Sequence, residues 1–323
     1  MPSIHKLKNR LGCIVTGQYR LKQTLYHKFS GGNPYTVLQL ADASGSIRVY
    51  CWPESGLLSE LPDQPEKVVE VTMYVRVFND EVVADLRGIR LPGPDEVINA
   101  ALLLDRAACP PVAVPALVSL ATFVHRLAPQ ALRGFVNRVL LDEHVDHQLL
   151  RCKASQRHHH RYRGGLLVHS VQVMDVAQAM AIAGGLTPLE TAITQVTALF
   201  HDLGKLRSVG SDTNRPVPQH LVRHETQTLR LLAPHLDWLR ARAPEIASGI
   251  EYSLDYLAQP AAHRGQARFV GAELVASADR MSAALDNGRR LNDLLQVARP
   301  PATNPANTSN TQDHAAASAA SAH

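Results

Sequence analysis

Apolar and polar residues alternate strictly in two stretches near the N-terminus. In "SIRVYCW", Ile47, Val49 and Cys51 point one way and Arg48, Tyr50 and Trp52 the other. In "VVEVTMYVRVF", Val69, Val71, Met73, Val75 and Val77 oppose Glu70, Thr72, Tyr74, Arg76 and Phe78. A period of two over such lengths predicts half-buried strands. "CIVTGQYRLKQ", "YTVLQLAD" and "EVVADLRGIRL" supply three more, and "SGGNP", "DASGS" and "FND" carry the turn residues between them. Five short strands over residues 11–92 suit a small barrel or sandwich, and an OB-like barrel is the economical choice.

After residue 92 the period lengthens. "GPDEVINAALLLDRAA", "VPALVSLATFVHRLAP", "QALRGFVNRVLLDEHV", "GLLVHSVQVMDVAQAMAIAG" and "TPLETAITQVTALFHDLG" space apolar residues by three and four, which predicts helices. Pro115 stands early in its helix, Gly184 and Gly185 end another, and Thr187-Pro188 read as N-cap and first helical residue. The expected architecture is a multidomain α+β chain. A β-barrel over 11–92 leads through a helical linker, 93–150, into an all-α domain, 151–298. The closing segment 299–323 is low in complexity and poor in large apolar groups, so it is expected to be disordered.

Composition sharpens this picture in a few places. With 323 residues and 45% hydrophobic content, the chain can bury a sizeable core. Its 4 cysteines, at positions 13, 51, 109 and 152, form no CxxC pair. That argues against a disulfide framework and a cysteine-rich zinc site, and it suits a reducing cytoplasm. The N-terminus lacks an apolar leader, and no apolar run is expected to reach the roughly 20 residues that span a bilayer. Net charge is only +4, but Lys6, Lys8, Arg10, Arg20, Lys22 and Lys28 all precede the first acid, Asp42. Such a segment either attracts a polyanion or simply keeps a solvated terminus soluble. Eight of the sixteen aromatic residues fall before position 93. Tyr50, Trp52 and Tyr74, with Arg48 and Arg76 interleaved, form a candidate platform for unstacked bases, unless the rings pack against the helical part.

The chemistry concentrates in four side chains set in helical sequence: His169 in "GLLVHS", His201-Asp202 in "LFHDLGKL", and Asp279 in "VASADRMSAAL". Imidazole and carboxylate together suit a hard or borderline divalent ion. Asp279 interrupts an apolar run, where a carboxylate is costly without a cation or donors; pairing with Arg280 is the structural alternative. Gly204 is expected to turn the chain sharply so that His201 and Asp202 share a cavity. His220 and His224 stand four apart and could share a helix face. His158, His159, His160, Arg161 and Arg163 precede Gly164-Gly165, whose lack of side chains would let the backbone approach a ligand.

"HHHRYRGGLLVHS", "LFHDLGKL" and the later aspartate resemble the HD-domain superfamily of metal-dependent phosphohydrolases. Behind an OB-like domain, the pattern is similar to bacterial OB-fold/HD-domain 3′–5′ exoribonucleases, over roughly residues 11–290. The resemblance implies an all-helical catalytic domain and phosphodiester cleavage of single strands. It also implies a divalent ion, Mn²⁺ first, with Mg²⁺, Fe²⁺ or Co²⁺ as alternatives. It makes His169, His201, Asp202 and Asp279 the metal ligands; from their spacing alone, His220 or His224 could complete a second metal site or bind phosphate, with a plain surface helix as the alternative. Lys205 and Asp202 become catalytic, with His159 and Arg163 on substrate. One departure stands out: the family's second His-rich segment is replaced by "IEYSLDYLAQPAAHRGQARF", where only His263 remains. The expected partner is single-stranded nucleic acid without a membrane, and an oligomer is left open. Two other functions remain at this level: hydrolysis of nucleotides or small phosphoesters, including the HD type associated with conjugative relaxases, and nucleic-acid binding without catalysis.

Overall fold

The computed structural model describes residues 2–28, 34–60, 68–93, 98–156, 160–210 and 221–286. The tail 299–323 and the residues His158, His159 and His220 lie outside them. Five strands form a closed barrel: β1 (Ile14–Lys28), β2 (Pro34–Asp42), β3 (Gly45–Cys51), β4 (Val68–Phe78) and β5 (Glu81–Arg90). Their order around the barrel is β1-β2-β3-β5-β4. Closure depends on β1, whose 15 residues serve two neighbours. Ile14 to Arg20 pair with β4, and Arg20 onward pairs with β2 across a bulge between Leu21 and Gln23. A bulge bends a strand and raises its twist, which is what closing a small sheet requires.

The predicted alternation fills the barrel. Leu38, Leu40, Ile47, Val49, Cys51, Val69, Val71, Met73 and Val75 are all buried inside, joined by Ile4 and Leu7 from an N-terminal 3-10 turn. Each large aliphatic side chain taken out of water contributes about 1.5–3 kcal/mol. Val77 departs from the expectation and is exposed, because β4 runs beyond the end of the core.

The helices are α1 (Val114–Arg126), α2 (Gln130–Leu140), α3 (Asp146–Arg151), α4 (Gly165–Ala183), α5 (Pro188–Phe200), α6 (Lys205–Ser208), α7 (His224–Arg240), α8 (Pro244–Ala258) and α9 (Val270–Asp286). They enclose a second, separate apolar core. α5 starts where expected, through a capping box in which Thr187 and Glu190 satisfy each other's backbone N–H groups. Residues 98–108 correct the prediction: they make two short 3-10 turns in place of a helix, and a third turn follows at Pro111–Ala113. Tertiary partners claim their backbone groups. Asn137 bonds both Ala100 N–H and Ile98 O, and Ala43 N–H donates to Leu102 O. Pro110-Pro111 then bar a continuous helix from reaching α1.

α4 corrects a second expectation. At 19 residues with mean hydropathy 1.4 it is long and apolar enough to cross a membrane by length and composition. Here half of it is buried, packed between α5 and α9 at the centre of the helical core. The basic N-terminal segment is also less free than its sequence suggested. Arg20 forms a fully buried ion pair with Asp146 at the start of α3, and Lys22 pairs with Asp105 at 2.9 Å. Two of its charges therefore join barrel to helices.

Candidate metal centre

Three helices carry the four sequence-predicted ligands. His169 lies in the second turn of α4, His201 is the C-cap of α5 with Asp202 next, and Asp279 sits mid-way along α9. One ligand atom from each lies within 4.8 Å of all the others. His169 Nε2 is 3.2 Å from both Asp202 Oδ2 and Asp279 Oδ1. His201 Nε2 stands 3.3 Å from Asp202 Oδ2 and 3.7 Å from Asp279 Oδ1. The two histidines and Asp202 are buried, whereas the Asp279 side chain is 40% exposed and marks the open side. Arg280 does not pair with it; its guanidinium turns to Glu273 and Ser277.

The donor set fits a divalent cation. His201 donates Nδ1–H to Ala198 O at 2.7 Å, so its buried Nε2, which makes no hydrogen bond, faces two carboxylate oxygens. Lone pair facing lone pairs is repulsive unless a positive charge lies between them. Electrostatics agree. Burial alone would make His201 less basic, yet Asp202 and Asp279 outweigh it and push its pKa up to about 10. Burial should likewise raise both carboxyls, but the neighbouring imidazoles hold Asp202 and Asp279 well below the usual range, with Lys205 adding to the effect on Asp202. Without a metal this cluster demands a proton as its counter-charge, and a divalent ion would displace that proton and take over the role.

Gly204 reaches the site by a route the sequence did not indicate. Its φ of −62° is ordinary helix, so no sharp left-handed turn occurs. A Cβ there would stand 1.9 Å from His224 O and 2.5 Å from Thr228 N. The glycine lets the His-Asp turn press against the first turn of α7. Gly204 N–H donates to Thr228 Oγ1 at 2.8 Å, and the Thr228 hydroxyl donates to His201 O. This contact brings His224 Nε2 to 3.0 Å from Asp202 Oδ1, the carboxylate oxygen turned away from the other ligands. His263 instead is exposed in a 3-10 turn. Lys205, at the start of α6, is buried with its ammonium bonded to Asp202, so it braces a ligand and does not stand open at the mouth.

The glycines before α4 also serve packing. A Cβ on Gly165 would meet His160 O at 2.0 Å, and one on Gly164 would meet Ala113 and the Leu150 carbonyl. The close approach that the glycines permit here is to the protein's own chain. Arg163 is exposed just ahead of α4, whereas His160 is buried with its ring centroid 5.5 Å from that of His169. Of the His-rich cluster, His160 lies beside the centre among the described residues, where the sequence had offered it as part of a basic group ahead of the glycines and not as a neighbour of His169.

On the barrel's outer face the rings contact one another. Trp52 stacks on Tyr50 at 5.4 Å and on Tyr35 at 5.5 Å, and His27 stacks on Tyr35 at 5.1 Å. Asp85 holds this ladder by accepting from Trp52 Nε1 at 2.8 Å and from Arg76 at 2.7 and 2.9 Å. Tyr50 is buried, so it backs the platform; Trp52 and Tyr35 are half-exposed. Arg48 is exposed and paired with Glu81, and Tyr74 lies apart from the ladder under Arg87. Tyr35 and His27 were not singled out from sequence because their strand reads as ordinary β. Register put them there: Tyr35 pairs with His27 across β1–β2.

Comparison with known proteins agrees with this geometry. Residues 166–284 match the HD domain family model. The 3′-5′ exoribonuclease YhaM of Bacillus subtilis is 25% identical over 220 residues, covering 67% of this chain and 68% of that protein. Its Bacillus velezensis counterpart is 25% identical over 241 residues, 74% of each. The second OB-fold domain of replication protein A from Methanococcus maripaludis, 20% identical, aligns with 25% of this chain and 85% of that one at a TM-score of 0.20. The barrel assignment rests on its own strand pairing, not on that likeness. A closed OB-like barrel followed by helices that match the HD domain family model, with four candidate ligands gathered at one point, makes this protein a metal-dependent hydrolase that is similar to 3′-5′ exoribonucleases.

Proposed function

We propose that the protein is a phosphodiesterase that shortens single-stranded RNA or DNA from the 3′ end. The observation that carries this reading is the convergence of His169, His201, Asp202 and Asp279. Those four would hold a divalent ion, Mn²⁺ before Mg²⁺, Fe²⁺ or Co²⁺. Bound there, it supplies activation of water at neutral pH and neutralises charge on a phosphoryl oxygen. Lys205 keeps Asp202 ionised and aimed. Asp279, the exposed ligand, borders the side from which a phosphate can approach. His224 stands over the second Asp202 oxygen, and the two side chains would be the donors available to a further divalent ion. Trp52 and Tyr35 offer faces on which bases stack, at about 1–3 kcal/mol per base.

The test is Mn²⁺-dependent turnover of RNA and DNA single strands labelled at either end, with mononucleotides and a small phosphodiester alongside. A ladder that retains 5′ label and disappears with His201→Ala supports the proposal. Mononucleotide turnover without polymer shortening moves the assignment to small phosphoesters. Tight strand binding without any turnover, unchanged by His201→Ala, makes it a binding protein.

A further inference from the structure

We infer that Ser282, backed by His160 and Gln172, is a positioning residue that imposes the metal-binding tautomer on His169 and docks the helix carrying Asp279. The inference rests on the four-residue centre proposed above. Ser282 is fully buried on α9, three residues after Asp279 and therefore on the same face. A hydroxyl is costly to bury unless it is hydrogen-bonded. Three side chains surround this one: Gln172 Oε1 at 2.8 Å, His169 Nδ1 at 3.0 Å and His160 Nε2 at 3.4 Å.

Counting protons assigns the roles. Gln172 Oε1 can only accept, so the single Ser282 proton goes there. Towards His169 the serine is then an acceptor, and His169 must carry its proton on Nδ1. The Nε2 lone pair is thereby directed at Asp202 and Asp279, where a cation would sit. His160 completes a consistent set by donating Nε2–H to Ser282 while its Nδ1 accepts from the Tyr162 hydroxyl at 3.0 Å. Ligating histidines are commonly fixed in this way by a partner on the other ring nitrogen.

The relay is also a strap between elements. The His160 backbone is held in a left-handed conformation, φ +47°, unusual for a residue with a side chain. Its N–H donates to Asp286 Oδ2 at 2.6 Å, and its carbonyl sits where any Gly165 side chain would be. Ser282 and Asp286, one and two turns past Asp279, therefore tie α9 to the entrance of α4. His201 differs because its orienting partner is a backbone carbonyl that no substitution removes. Control over the centre's grip on metal thus lies with the His169 side.

Calorimetric titration of Mn²⁺ into metal-stripped, full-length protein tests this, with the melting temperature of the metal-free form as a second readout. Ser282→Ala is expected to weaken Mn²⁺ binding about 10–100-fold, with the metal-free melting temperature within a few degrees of wild type. Gln172→Met, which frees the serine proton to turn towards His169, should weaken binding in the same direction without removing the hydroxyl. Unchanged affinity in both variants overturns the inference, even if stability falls, because a merely structural serine would behave so. Failure of the wild-type protein to bind any divalent ion would instead overturn the metal centre itself.

Discussion

His201 shows how much a single side chain can decide. One ring nitrogen is committed to Ala198 and the other is aimed, buried, at two carboxylates. His201→Ala should lower Mn²⁺-dependent turnover by more than the about 10–100-fold typical of an outer-shell residue, as initial rates on a single-stranded substrate will measure. A second expectation concerns the thiols. Cys152 is buried beneath α6, and burial pushes its pKa up to about 12. Cys109 and Cys51 are buried and raised for the same reason, whereas Cys13 is exposed. Alkylation of the native protein at pH 8 should therefore modify Cys13 alone, read by intact mass and peptide mapping. Modification of Cys152 before unfolding would contradict the packing described.

Between elements, the contact that matters most is the one Gly204 permits between the His-Asp turn and α7. Gly204→Ala forces a methyl into the His224 carbonyl. Overpacking of this kind costs about 1–3 kcal/mol, and here it must also move His224 away from Asp202. The measurement is urea unfolding together with turnover, and both should fall. Thr187→Ala offers a contrast. It removes the capping box of α5 at a cost of about 0.5–2 kcal/mol, yet should leave turnover intact below the melting transition, since the candidate ligands His201 and Asp202 stand at the far end of α5. The Thr187 cap was legible from a few residues of sequence because both halves of the box are local. Gly204 was noticed for the wrong reason: a glycine after a helix reads as a turn, and nothing nearby in sequence announces that α7 will lie against it.

At the scale of the molecule, the fully buried Arg20–Asp146 pair is one of the contacts that join barrel and helical core. Arg20→Ala leaves the buried Asp146 without its guanidinium partner, which costs about 3–5 kcal/mol. Replacing both, as Arg20→Met with Asp146→Leu, should recover most of the loss in thermal or urea unfolding. Strand binding belongs to this scale too, since the ladder and the metal centre occupy different elements. Trp52→Ala should weaken polymer binding by about 1–3 kcal/mol while sparing hydrolysis of a small phosphodiester. Equal losses on both substrates would remove the barrel from substrate recognition.

Local pattern alone determined a good part of this protein. Period two produced the barrel strands, periods near 3.6 the main helices, and the rarity of His and Asp in apolar helical sequence pointed to the four side chains that converge, because a polar group in such a setting must have a reason. Tertiary structure decided what no local rule contains. It turned residues 98–108 from helix into short 3-10 turns by giving their backbone groups distant partners. It stacked the platform's rings on one another, and it set His224, Lys205, Ser282 and His160 around the centre. Those placements arise where segments far apart in sequence meet, and their energies come from burial and hydrogen bonds that exist only once the chain has closed upon itself.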